Sequence, residues 1–111
     1  MSDDLSNQHC SNSEQIKTAL NAEQIKSLIS QLNQWKTTAD NQMIKKEFSF
    51  KNFYETMGFV NALAWIANAE NHHPDLEVGY NYCRVSFMTH TVKGLTENDF
   101  ICAAKLDQLL A

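Results

Sequence analysis

Apolar residues recur at helical spacing in two segments of the chain. Asn21, with Gln24 three positions later, has the pattern of a capping box. The stripe that follows predicts an amphipathic helix ending near Asn33: Ile25, Leu28, Ile29 and Leu32. A longer helix is predicted from about Lys51. Its stripe predicts a side that faces the core: Phe53, Tyr54, Met57, Val60, Leu63, Ala64 and Ala67.

Two stretches of alternating polarity predict β-hairpins. The first runs from Trp35 to Ser49 around an Asp40-Asn41 turn, and the second from Leu76 to His90 around Gly79-Tyr80-Asn81. Lys46 falls on the apolar face of the first hairpin, so its ammonium must reach solvent along its stem or lie at the sheet edge. In the second hairpin, three residues are expected to face the core: Cys83, Val85 and Phe87.

A last helix is predicted to begin at Thr96-Glu97-Asn98-Asp99, which again has the pattern of a capping box. Apolar residues lie on more than one of its faces: Phe100, Ile101, Ala103, Ala104, Leu106, Leu109 and Leu110. The order of elements is therefore helix, two strands, helix, two strands, helix. Two antiparallel hairpins and three helices predict an α+β fold, a sandwich of two layers.

Composition limits the classes of function. With 111 residues, 43% of them hydrophobic, the chain fits a single domain over residues 21–111. Residues 1–20 are rich in Ser, Asn, Asp and Gln, and are expected to form a mostly disordered tail. A net charge of −4 without a basic run argues against nucleic acid as a partner. We found no signal peptide, apolar membrane span or CxxC pair, so a soluble cytoplasmic protein without a membrane partner is expected.

Three of the four histidines fall in a short window of the sequence. His72 and His73 precede Pro74, and His90 ends the last predicted strand, on the face that points away from the core. Imidazole is the side chain whose unperturbed pKa lies near neutrality, so proton transfer or metal binding is suggested. Pro74 disfavours helix at His73, and the two adjacent rings should diverge and could flank a ligand.

Each of these residues also has a structural interpretation. The histidine pair could equally cap the preceding helix and fill the turn. Asp99, at the third helical position, is by itself better explained as a capping carboxylate, and Glu70 as a solvated one. A zinc site built from three histidines and Asp99 is a chemical alternative, although no HxH or HxxxH spacing supports it. No motif indicates a serine or cysteine nucleophile.

A long, discontinuous motif links the second helix to the last one. It comprises HHP at 72–74, TH at 89–90 and GLT-x-x-D at 94–99, preceded by Trp35 and by FSFKNF at 48–53. This motif resembles the signature of the pterin-4a-carbinolamine dehydratases, and the resemblance extends from about Leu20 to the C-terminus. It implies His72, His73 and His90 as the catalytic histidines. Substrate-binding or supporting residues are then expected among Asp99, Glu70, Asn71 and Asn68.

The resemblance also implies an architecture and a reaction. A four-stranded antiparallel sheet with its helices on one side is expected, assembled into a homodimer or homotetramer. The reaction is a hydro-lyase step, dehydration of 4a-hydroxytetrahydrobiopterin to the quinonoid dihydropterin. It recycles tetrahydrobiopterin for aromatic amino acid hydroxylases, with a functional link to phenylalanine hydroxylase. No metal or cofactor is implied. Asn68 stands where the family often has a carboxylate, so a base at that position is not expected.

Animal members of the family also bind a homeodomain transcription factor. Leu76 replaces a tryptophan of the animal forms, so the sequence resembles bacterial members more closely. A non-enzymatic dimerisation module of the same fold is the alternative function.

The predicted chemistry suits histidines. Loss of the C4a hydroxyl as water needs a proton donor, and N5 must release its proton. We therefore predict His72 and His90 as general acid–base groups and His73 as a substrate-binding residue. Assembly is expected on physical grounds too. Open strand edges invite pairing, and a helix that is apolar on several faces is usually buried on several sides. The last helix or a sheet edge is the predicted interface of a symmetric homo-oligomer.

Overall fold

Three α-helices and four β-strands make up the fold of the computed structural model, which describes residues 4–111. The strands form one antiparallel sheet in the order β1-β2-β4-β3. The predicted α+β class and the predicted order of elements are confirmed. The elements are α1 (Ala22–Ile29), β1 (Lys36–Thr37), β2 (Ile44–Ser49), α2 (Phe53–Glu70), β3 (Asp75–Val78), β4 (Tyr82–Phe87) and α3 (Glu97–Gln108).

The central strand pair β2–β4 has one buried and one charged face. Ile44 pairs with Phe87 and Phe48 with Cys83, and these side chains pack toward the helices as the alternation predicts. On the opposite face, the Arg84 guanidinium binds the Glu47 carboxylate at 2.7 Å. The helices therefore cover one face of the sheet only.

Lys46 does not reach solvent in the way its position suggested. Its ammonium forms an ion pair with the Asp107 carboxylate of α3 at 2.8 Å and donates to the Asn33 carbonyl at 2.7 Å. The Trp35 indole N–H donates to the same carboxylate at 3.0 Å. Because only 10% of the Lys46 side chain is exposed, this polar cluster ties β2 to α3 inside the structure.

The buried face of α2 differs from the predicted stripe. Leu63 and Ala67 are buried as expected, but Tyr54 is 89% exposed. Thr56 and Phe59 take the inward positions instead, and the Phe59 ring lies 4.5 Å from that of Phe48. Because α2 carries apolar residues on most of its circumference, their spacing alone does not determine which side faces the sheet.

The segment 4–20, called here the N-terminal strap, packs along α3. Leu5 enters the core, and the Lys105 ammonium donates to the Ser6 carbonyl at 2.9 Å. The described part of the predicted tail thus contacts α3; Met1–Asp3 of that tail lie outside the described residues. The strap also explains the apolar character of α3. Most of α3 is buried within its own chain, whereas Leu109 and Leu110, at its C-terminal end, are exposed; the helix or a sheet edge as subunit interface stays a prediction.

Candidate functional site

The C-terminus of α2 places two adjacent histidines in different environments. The helix ends at Asn71, which adopts the left-handed conformation with φ 51° and ψ 43°. Asn tolerates this conformation better than most residues, and the conformation turns the chain away from the helix axis. The His72 amide then donates to the Ala67 carbonyl at 3.1 Å. As a result His72 is buried and His73 is exposed, so the two rings diverge as predicted.

A buried carboxylate holds His72. Asp99 is completely buried, and its Oδ1 lies 2.6 Å from His72 Nε2. Its Oδ2 accepts from the Thr96 amide at 3.0 Å and from the Thr89 hydroxyl at 2.9 Å. The capping box predicted for α3 is present, with Asp99 as its third helical residue. Asp99 therefore combines the structural role of a cap with a direct contact to a predicted catalytic histidine.

The position of the His72 ring is fixed from two directions. Its plane stacks on the Phe87 ring, with centroids 5.9 Å apart and an angle of 8° between planes. The Asp99 carboxylate is an acceptor only, so His72 Nε2 must carry the proton of their contact. In neutral His72, Nδ1 is therefore the ring nitrogen that can accept a proton. The same logic orients histidine in other carboxylate–histidine pairs.

His73 is oriented by the amide at position 68. Its Nε2 donates to the Asn68 Oδ1 at 3.0 Å, because an amide oxygen can only accept. In neutral His73, Nδ1 is then the ring nitrogen that can accept a hydrogen bond. Asn68, which stands where the family often has a carboxylate, thus contacts a predicted site histidine from the last turn of α2.

His90 lies in a turn rather than at the end of a strand. Strand β4 ends at Phe87, and Thr89 pairs with Gly94 through an isolated bridge. His90 is exposed, and its carbonyl accepts from the Lys93 amide at 3.2 Å. The predicted orientation away from the core agrees with this exposed position.

The three predicted catalytic histidines line one cleft with a volume of about 270 Å³. The turn after α2 contributes one wall and the turn after β4 another. The other lining residues are Ser13, Asn71, Pro74, Asp75, Met88, Thr89 and Thr91. Asn71, predicted as a supporting residue, belongs to this wall. No sequence pattern points to Ser13, whereas Thr89 could have been found from its place beside His90 in the TH motif.

Glu70 binds the strap instead of lining the cleft. Its carboxylate accepts from the Cys10 amide at 2.7 Å and contacts His9 Nδ1 at 2.8 Å. Burial alone would raise the pKa of Glu70, but these hydrogen bonds and the nearby Lys105 ammonium lower it below its usual value. The structure thus places Glu70 against the strap and not in the cleft with His72, His73 and His90, where a supporting residue was expected.

Within residues 4–111, no group of three or more His, Cys, Asp or Glu side chains is arranged to hold a metal ion. The helices in the described part of the chain are too short or too polar to cross a membrane.

Three histidines surround one cleft of this two-layer α+β fold, and a buried carboxylate holds one of them. This arrangement is typical of a small-molecule site equipped for proton transfer. The family model described as Pterin 4 alpha carbinolamine dehydratase matches residues 18–109. The chain belongs to this family, which confirms the resemblance found in the sequence.

Relatives extend the comparison to almost the whole chain. A protein of Legionella pneumophila (strain Corby), named as a candidate pterin-4-alpha-carbinolamine dehydratase, is 70% identical over 111 residues, which cover 99% of this chain and 98% of its own. A protein of Nitrosospira multiformis with the same name is 52% identical over 107 residues, covering 96% and 93%.

Two solved structures share the fold. A transcriptional coactivator/pterin dehydratase from Brucella melitensis has a TM-score of 0.81 at 28% identity, covering 85% of this chain and 100% of its own. A pterin dehydratase-like protein described as a RuBisCO assembly factor in the alpha-carboxysome has a TM-score of 0.62 at 27% identity, covering 69% and 89%.

Proposed function

We propose that this protein is a pterin-4a-carbinolamine dehydratase, which removes water from 4a-hydroxytetrahydrobiopterin to give the quinonoid dihydropterin. The observation that carries the proposal is the contact between His72 and the buried Asp99, because His72 lines the same cleft as His73 and His90. A flat bicyclic substrate suits a cleft of about 270 Å³ with imidazoles on separate walls.

Two proton transfers are required, and two histidines supply them. His72 accepts the N5 proton at Nδ1, and Asp99 stabilises the imidazolium that results. His90, which exchanges protons with solvent, donates to the C4a hydroxyl, so the C4a–O bond breaks and water leaves. The N5 lone pair forms the new C4a=N5 double bond. General acid–base assistance of this kind is worth about 10²–10⁴-fold in rate, or roughly 3–5 kcal/mol.

His73 binds the substrate instead of transferring a proton. Its Nε2 proton is committed to Asn68, so Nδ1 is the atom that accepts a hydrogen bond from the pterin. Asn68 cannot ionise and therefore acts through His73. Asn71 supports the same wall of the cleft, because its left-handed conformation forms the turn that carries His72 and His73.

Single histidine replacements test these roles. We expect His72→Ala and His90→Ala each to lower the dehydration rate of freshly generated carbinolamine by about 10²–10⁴-fold. His9→Ala is the matched control, because His9 lies on the strap and does not line the cleft. Thermal unfolding of each variant separates lost activity from lost folding. Wild-type turnover in both cleft variants would remove the proposed roles of His72 and His90.

A non-enzymatic dimerisation or assembly module is the second candidate function. It is supported by the names of the two solved relatives, one a transcriptional coactivator/pterin dehydratase and the other a pterin dehydratase-like assembly factor. The same assay separates the candidates, because an assembly module that retained the cleft as a relic would not accelerate dehydration.

We also propose a homodimer or homotetramer in the cytoplasm that supplies an aromatic amino acid hydroxylase such as phenylalanine hydroxylase. Edge strand β3 is exposed along its length, and the outer face of α2 carries exposed Tyr54 and Trp65. Sedimentation at micromolar concentration should give two or four times the chain mass of 12.7 kDa. A monomer across that range would contradict the assembly.

A further inference from the structure

The N-terminal strap runs from the core to the cleft. It begins with buried Leu5 beside α3 and reaches the cleft at Ser13, in a short helical turn formed by Ser13–Gln15. The Asn12 side chain caps this turn by accepting from the Glu14 amide at 3.0 Å. The strap precedes most of the region that the family model matches, residues 18–109. Ser13 is therefore a cleft residue outside the family pattern.

The strap is anchored next to the residues of the proposed site. Asn98, adjacent to Asp99, holds Ser11 through reciprocal hydrogen bonds: the Ser11 amide donates to Asn98 Oδ1 at 2.9 Å, and Asn98 Nδ2 donates to the Ser11 carbonyl at 2.8 Å. Thr91, adjacent to His90, donates from its hydroxyl to the Ser13 carbonyl at 3.1 Å. Glu70, two residues before His72, accepts from the strap at Cys10, as described above. Anchors on three neighbouring elements set the position of the strap relative to the histidines.

Ser13 lines the cleft beside the three histidines. Its carbonyl accepts from the Thr91 hydroxyl and from the Ile16 amide, so the groups left for a ligand are its backbone N–H and its hydroxyl. A hydroxyl both donates and accepts, which suits a pterin whose ring edge and side chain carry donors and acceptors. Because the strap is already held by hydrogen bonds next to the histidines, little conformational entropy is lost when Ser13 binds a ligand.

We propose that the strap forms a wall of the substrate cleft and that the Ser13 hydroxyl hydrogen-bonds the bound pterin. Ser13 is then a substrate-binding residue that precedes the region matched by the family model, residues 18–109. This inference rests on the proposed function, because the ligand it names is the proposed substrate.

Removal of the hydroxyl tests the contact. We expect Ser13→Ala to raise both the KM for carbinolamine and the Kd for 7,8-dihydrobiopterin, a stable pterin probe, by about three- to tenfold, the range of one hydrogen bond. The kcat should stay within about twofold, since the proton-transfer groups are unchanged. Ser13→Thr, which keeps the hydroxyl, should bind like the wild type. Ser11→Ala is the matched control, a serine of the same strap that does not line the cleft.

The outcomes separate this inference from the function on which it rests. An active wild type with unchanged KM and Kd in Ser13→Ala would overturn the role of Ser13 alone. Equal losses in Ser13→Ala and Ser11→Ala would also overturn it, because the strap would then act only through its packing. A wild type that neither binds 7,8-dihydrobiopterin nor dehydrates carbinolamine would overturn the proposed function and this inference together.

Discussion

Replacement of Asp99 by asparagine provides the sharpest test of the proposed proton transfer. In Asp99→Asn, the amide oxygen can still accept from the Thr96 amide and the Thr89 hydroxyl, which the carboxylate Oδ2 does at 3.0 and 2.9 Å. The amide NH₂ then faces His72 Nε2, where the carboxylate Oδ1 lies at 2.6 Å. Two donors cannot share this contact, so neutral His72 must move its proton from Nε2 to Nδ1.

The expected loss of activity follows from this exchange of tautomers. His72 Nδ1 would carry a proton in the neutral ring and could not accept the one from N5. The carboxylate that stabilises the imidazolium would also be gone. We expect kcat/KM to fall by about 10²–10⁴-fold. The free energy of unfolding should fall by only about 1–2 kcal/mol, since the capping bonds remain and one charged hydrogen bond becomes neutral.

Thr96→Val is the control for packing in this network. It removes the hydroxyl that contacts the Thr89 hydroxyl at 2.8 Å and that caps α3, and it leaves the contact between His72 and Asp99 in place. We expect about 1–2 kcal/mol of destabilisation and activity within about threefold of the wild type. Urea unfolding and initial rates of dehydration on both variants measure the two effects. Equal losses of activity in Asp99→Asn and Thr96→Val would refute the tautomer argument.

Two further predictions concern stability. Because the pKa of Glu70 is lowered on folding, its carboxylate should stabilise the protein at neutral pH, and this contribution should disappear as pH falls through that lowered pKa. We therefore expect Glu70→Gln to lower the free energy of unfolding by about 1–2 kcal/mol at pH 7 and to converge with the wild type once the pH is below that lowered pKa; a constant difference across pH would contradict this. Asp107→Ala should cost about 3 kcal/mol, because it leaves the largely buried Lys46 ammonium without its partner. Arg84→Met, on the solvent face of the sheet, should cost about 1 kcal/mol or less in the same urea titration.

Local signals in the sequence determined the elements of this fold. The capping boxes at Asn21 and Thr96 are present in the structure, because each involves residues only three positions apart. Alternation in β4 correctly identified the inward residues, since successive side chains of a strand point to opposite faces. Helix α1 begins at the predicted cap but ends at Ile29, earlier than the predicted Asn33. The discontinuous motif around the histidines, which is read from residue types and spacing alone, led to the family.

Only the tertiary structure decided how these elements meet. Apolar residues surround α2, so the inward position of Phe59 and the exposure of Tyr54 depend on the shape of the sheet beneath the helix. The contact between His72 and Asp99 joins residues 27 positions apart, and no local pattern specifies such a pair. The strap is the clearest case. Its polar composition carries no signal for a contact, and its hydrogen-bond partners Glu70, Asn98 and Thr91 lie far along the chain. Backbone groups bond through their geometry rather than their side-chain type, so composition carries no record of those partners.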